Sequence, residues 1–227
     1  MSLVYFKNVS KAYNGSLILD NITFKIDPGE FVSLVGRSGV GKTTLLKMLL
    51  KEESPTKGRI FFNDKDINKL KNQEIALLRR KIGMVFQDFK LLTHKTAYEN
   101  VAFAMEVAGY PEGMIEKDAP ELLKLVNLEG RANNFPYQLS AGEKQRVVIA
   151  RVLAQRPELI LADEPTGDLD PINTWEIIKL LIKINELGTA IILATHNKEV
   201  INTLGRRVIS LDGGKIIRDE EEGRYLI

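Results

Sequence analysis

The 227-residue chain has no cysteine, which excludes disulfides, thiolate metal sites and cysteine nucleophiles and fits a reducing compartment such as the cytoplasm. It has no excess of one charge either. Lys and Arg number 32 against 30 Asp and Glu, a formal net charge of +2, so it lacks the electrostatic footprint of a dedicated nucleic-acid binder. No apolar run reaches the roughly 18 residues needed to span a bilayer. The opening Met1-Ser2-Leu3-Val4-Tyr5 does not read as a secretory signal. Membrane association is therefore expected through a partner or a surface. Internal repeats and low-complexity segments are also absent.

What is present is ample apolar material, 44% of residues, enough for a substantial core. Tyr5 to Val9 and Ile22 to Ile26 alternate in polarity and predict half-exposed antiparallel strands. Phe31 to Val35, Leu159 to Ala162 and Ala190 to Ala194 are nearly all apolar and predict buried parallel strands. Helical spacing covers Thr43–Lys51, Thr96–Val107, Lys117–Val126, Gly142–Ala154 and Asn173–Glu186. The expected fold class is α/β: one domain over 1–227, with a core and antiparallel β part at about 1–87 and 156–227, and an inserted helical lobe at about 88–155. The basic cluster Lys69, Lys71, Arg79, Arg80 and Lys81 reads as a solvated helix face, and Asp219-Glu220-Glu221-Glu222 as a solvated tail.

Three glycines in nine residues after a buried strand need a reason beyond folding. Gly36, Arg37, Ser38, Gly39, Val40, Gly41, Lys42, Thr43 and Thr44 supply it, because they match the phosphate-binding pattern G-x-x-x-x-G-K-[ST] between a predicted strand and a predicted helix. Backbone N–H groups of such a loop wrap a phosphate, and the helix N-terminus adds its positive end. Lys42 can reach the β- and γ-phosphates, and the Thr43 hydroxyl can ligand Mg²⁺.

A second pattern is the strand Leu159 to Ala162 ending in Asp163 and Glu164. Adjacent carboxylates leaving a buried strand need a cationic or polar partner. Mg²⁺ with a nucleotide is such a partner, with Asp163 toward the metal's water shell and Glu164 toward an attacking water as general base. A third pattern, Leu139-Ser140-Ala141-Gly142-Glu143, satisfies the S-x-x-E capping box of a helix start.

Together the three patterns resemble the ATP-binding cassette (ABC) family, whose signature is usually written L-S-G-G-Q; here Ala141 and Glu143 depart from it. The resemblance spans essentially the whole chain and implies a P-loop, RecA-like core. If the Ala141 position needs a positive φ, its Cβ costs around 1 kcal/mol. The resemblance further implies that Tyr13 stacks on adenine, that Gln87 contacts Mg²⁺ and the reacting water, that Asp170 reaches a partner subunit, and that His196 touches the γ-phosphate. It implies a head-to-tail homodimer in which Ser140, Ala141, Gly142 and Glu143 of one copy cover the ATP of the other, docked on a separate integral membrane subunit.

Leu78 to Leu92, Thr96 to Ala102 and Asn134 to Gln138 are similar to the cell-division branch of the family. That branch implies control of cell-wall hydrolases from the cytoplasmic face of the membrane. Lipoprotein-release and macrolide-efflux ATPases share Glu164-Pro165-Thr166-Gly167 and stand as alternatives, as does an ATP-gated scaffold with little turnover. Phe89, Leu91, Leu92, Tyr98 and Phe103 either pack inside the helical lobe or form a groove for a helix of the membrane subunit.

Overall fold

Neighbouring residues on the buried strands face opposite ways, and both ways lead into apolar cores. The structure, a computed structural model, describes residues 1–225. In chain order the elements are β1 (Val4–Tyr13), β2 (Ser16–Ile26), β3 (Phe31–Gly36), α1 (Lys42–Leu49), β4 (Lys57–Phe62), β5 (Lys65–Asp66), α2 (Asn72–Lys81) and β6 (Ile82–Phe86). They continue as α3 (Ala97–Ala108), α4 (Glu112–Leu125), α5 (Ala141–Leu153), β7 (Leu159–Asp163), α6 (Pro171–Glu186), β8 (Ala190–Ala194), α7 (Lys198–Leu204), β9 (Arg207–Asp212) and β10 (Lys215–Glu220).

Six strands form one sheet in the order β10-β9-β3-β8-β7-β6, parallel except for β10. Four form an antiparallel sheet in the order β2-β1-β4-β5. On β7 and β8, Ile160, Ala162, Ile191 and Leu193 face a core shared with α3, α4, α5 and α6. The alternate residues Leu159, Leu161, Ile192 and Ala194 face a second core with α1 and the antiparallel sheet. Burial on both faces is why these strands read as unbroken apolar runs. Each fully buried aliphatic side chain contributes about 1.5–3 kcal/mol.

One expectation is corrected and two are made more specific. The acidic run is not simply a solvated tail, because Asp219 and Glu220 belong to β10, and Asp219 takes both Nε and Nη2 of Arg207 at 2.7 Å. Arg207 Nη1 also donates to Glu30 at 2.7 Å, and these carboxylates hold the guanidinium pKa above its ordinary value. The five residues of the basic cluster are exposed, as expected, but three of them also bond their neighbours. Arg79 donates to Leu50 O, Arg80 to Val107 O, and Lys81 pairs with Glu158 at 2.6 Å, tying α2 to its neighbours. Finally, Leu92 and Phe103 line a groove with Ala104 and Val107, whereas Phe89, Leu91 and Tyr98 pack against the helical core.

Candidate active site

Four loops leave the carboxyl ends of the adjacent strands β3, β8, β7 and β6, where open α/β sheets bind ligands. After β3 the chain turns through Gly41, the N-cap of α1, at φ 109°. A Cβ there would lie 2.6 Å from Leu19 Cδ2, so only glycine fits both the backbone and the space. The first turn of α1 contains no acidic residue, which leaves its N–H groups and dipole end uncompensated. Arg37, Ser38, Gly39 and Thr43 are exposed, and Val40 and Thr44 half-buried. Lys42 is only 6% exposed; its ammonium donates to Gly36 O at 2.8 Å and Arg37 O at 3.4 Å. Loop carbonyls thus hold this cation where an anion in the loop can claim it.

β7 delivers Asp163 and Glu164. Burial pushes the Asp163 carboxyl pKa up; the Thr43 hydroxyl opposes this and the Glu164 charge adds to it. Glu164 sits in the left-handed region at φ 46°, costing about 1–2 kcal/mol for a residue with a Cβ. Its neighbours hold it there. Thr195 Oγ1 donates to Glu164 Oε2 at 3.0 Å, and His196 Nδ1 lies 2.8 Å from Oε1. A carboxylate only accepts, so Nδ1 carries the proton in this contact. Lys42 Nζ stands 4.0 Å from Glu164 Oε1. At the end of β6, the exposed Gln87 donates from Nε2 to Asp168 Oδ1 at 3.3 Å, against Gly167. The glycine cradle, the bare helix end, a single nearby ammonium and two carboxylates fit a nucleotide with Mg²⁺.

The signature segment is elsewhere. Ser140 Oγ accepts from Glu143 N at 3.2 Å and Glu143 Oε2 from Ser140 N at 2.8 Å, a reciprocal capping box opening α5. That backbone bond, with help from Arg131 at 2.9 Å, lowers the Glu143 pKa, so this carboxylate is occupied within its own chain. Ala141 is the first residue of α5 and has no positive φ, so the expected strain is absent. Gly142 is the position that tolerates no side chain: a Cβ would overlap Asn173 on α6. Asn173 in turn bonds Asp170, whose carboxylate caps α6 through Ile172 N and Asn173 N. These bonds lower the Asp170 pKa and join the signature and Asp170 into one surface. Among the described residues, no hydrogen bond or ion pair links Ser140–Glu143 to the phosphate loop.

Tyr13 ends β1 with its ring 39% exposed. Beneath it sits a residue that the sequence did not single out. Lys11 Nζ lies 4.6 Å from the ring centroid and is held by Glu53 Oε2 at 2.7 Å and Ser54 O at 2.8 Å, just beyond α1. One ring face is thereby occupied and fixed to the end of the phosphate-loop helix. Thr195 was missed as well. Neither a lone lysine in an alternating strand nor a threonine before a histidine carries a sequence signal.

A phosphate loop, carboxylates at the next strand but one, and an inserted helical segment define the class as a P-loop ATPase cassette. The ABC transporter family description matches residues 19–167. The chain is 52% identical to the cell division ATP-binding protein FtsE of Bacillus subtilis, over 98% of each. It is 45% identical to the methionine import ATP-binding protein MetN of Halalkalibacterium halodurans, over 100% of this chain and 67% of that one. Among solved structures it matches the ATP-binding cassette MJ0796, a dimeric post-hydrolysis state bound to ADP and Pi, at 39% identity and a TM-score of 0.87, over 98% and 100% of the two chains. The chain belongs to the ABC transporter family, as an ATP-binding subunit that hydrolyses ATP with Mg²⁺.

Proposed function

We propose that two copies pack head to tail, each ATP held by Gly36–Thr44 of one and covered by Ser140, Ala141 and Gly142 of the other, with Asp170 at the seam. The supporting observation is the split arrangement: the phosphate loop, Asp163, Glu164 and His196 converge, while the signature stands at the start of α5 beside Asp170 and, among the described residues, makes no hydrogen bond or ion pair to that loop. Tyr13 stacks on the base with its free face. Lys42 leaves the loop carbonyls for the β- and γ-phosphates. Thr43, Gln87 and Asp163 would hold Mg²⁺, partly through water, and the ion would neutralise phosphate charge. Glu164, oriented by Thr195 and His196, accepts the proton of the water that attacks the terminal phosphate, and His196 also meets that phosphate.

The task we assign is cell division, by an ATPase docked from the cytoplasmic face on a membrane subunit resembling FtsX and controlling cell-wall hydrolysis. Identity to FtsE over 98% of both chains supports it. No described helix is long and apolar enough to cross a membrane, which is consistent with a docked subunit. A groove of about 260 Å³, lined by Leu92, Phe103, Ala104 and Val107 with Arg79 and Arg151, suits an amphipathic helix of that partner. The similarity to MetN supplies the rival reading, solute import. The test is affinity purification of Glu164→Gln from host membranes with ATP, followed by mass spectrometry. An FtsX-like protein is expected, and recovery of a solute-transporting membrane subunit instead overturns the division reading.

A further inference from the structure

The segment after Gln87 is held in an unfavourable backbone shape by a side chain that the chemistry above does not use. Phe89 and Lys90 are consecutive residues in the left-handed region, at φ 55° and 47°. Residues with a Cβ resist this conformation, and two in succession persist only when their surroundings impose it. Arg151 on α5 imposes it. Its Nη1 donates to Lys90 O at 2.6 Å and its Nη2 to Phe89 O at 3.2 Å, so the planar fork spans both carbonyls. On the other side of Gln87, Gln145 of the same helix is fully buried and donates from Nε2 to Phe86 O at 3.3 Å.

We infer that Arg151, with Gln145, is a positioning residue for Gln87: α5 grips the backbone on both flanks of the glutamine and sets where its amide stands. The inference rests on the proposed role of Gln87. It adds a route for the signal, because Arg151 also lines the groove assigned to the membrane partner. Ser140, at the start of α5, meets the second ATP in the proposed dimer. Partner docking, signature engagement and Gln87 placement then act on a single helix.

The test measures turnover by the purified full chain over a range of Mg-ATP concentrations up to saturation and compares Arg151→Lys, Gln145→Leu, Gln87→Ala and the double variants. Lysine keeps the charge but cannot span two carbonyls. Leucine removes a buried amide whose Oε1 has no partner, so it spares the fold if Arg151→Lys does not. Expected are a kcat lowered about 5-fold or more with KM for ATP changed less than about 2-fold, and no further loss when either change is added to Gln87→Ala. Hydrogen exchange should quicken at residues 88–91 in Arg151→Lys. Losses that multiply in the double variants, or wild-type turnover in both Arg151→Lys and Gln145→Leu while Gln87→Ala is slow, overturn this inference alone. Wild-type turnover in Gln87→Ala overturns the Gln87 reading and this inference with it.

Discussion

Replacing Glu164 by glutamine isolates the proton-accepting role proposed for it, because the surrounding contacts tolerate the amide. Its Oε1 can still accept from Thr195 Oγ1, now at 3.0 Å from the carboxylate, and its Nε2 can donate to His196 Nδ1 in the other tautomer. Lys42 loses a partner at 4.0 Å but keeps Gly36 O and Arg37 O. The charge that helps to raise the Asp163 pKa disappears, a small gain for the nucleotide-free protein. Folding stability should therefore change by less than about 1 kcal/mol, since no buried group is orphaned. Catalysis should change far more. Loss of a general base costs about 10²-fold or more, near 2.7 kcal/mol of barrier. Phosphate release in a single turnover, nucleotide affinity and molar mass by light scattering measure the three consequences: slow release, retained binding and an ATP-dependent dimer. Turnover within about threefold of wild type would refute the assignment of Glu164 as base.

Asp163→Asn should raise the melting temperature of the nucleotide-free protein at neutral pH, because a carboxyl whose folded pKa is raised loses stability as pH climbs past the ordinary carboxylate value. The advantage should shrink as pH falls into that range, and Mg-ATP should stabilise the variant less; equal melting curves at neutral pH would contradict it. Tyr13→Ala should weaken ATP binding about 5-fold or more while leaving inorganic tripolyphosphate binding unchanged, and Lys11→Met should show the same selectivity more weakly, read by calorimetry. Thr195→Val keeps the shape but removes the donor to Glu164 Oε2, so kcat should fall by several-fold with KM for ATP little changed. Phe103→Asp, in a groove residue 40% exposed, should leave ATP affinity intact and abolish co-purification with the membrane subunit.

The elements legible in sequence were those whose burial or chemistry is local. β3, β7 and β8 showed as apolar runs, and the phosphate loop as glycines that a tight turn and a close approach to Leu19 demand. α6 showed its buried stripe of Ile177, Ile178, Leu181 and Ile184. By contrast β9 and β10 were missed, because their pairing depends on partners remote in sequence, and Arg207 with Asp219 looks like ordinary surface charge until they meet. α4 begins at Glu112, five residues before the expected Lys117, because its exposed first turn carries little apolar periodicity, and it runs through Pro120 as the expected helix does. Within the site, motif residues could be read because each lies in a short contiguous pattern, at a strand end for Asp163 and Glu164 and at a helix start for Ser140 and Asp170. Lys11, Thr195, Gln145 and Arg151 act on residues brought to them by folding, and no spacing announces that.

The internal bonds of the signature region bear on the proposed sharing of each site between two chains. Ser140 and Glu143 satisfy one another, Asp170 is spent on capping α6, and Gly142 lies so close to Asn173 that the two helix starts form one unit. It cannot bend back to the phosphate loop of its own chain without breaking caps worth about 1 kcal/mol each and the helix packing behind them. The start of α5 is thereby left for the second copy of the proposed dimer, whose ATP would present phosphate oxygens to it. α5 also holds both flanks of Gln87 through Phe86 O, Phe89 O and Lys90 O, so the surface proposed to meet the neighbouring nucleotide and the glutamine assigned to its own share one helix. In the proposed dimer, each α5 would therefore join the nucleotide of one site to the Gln87 of the other.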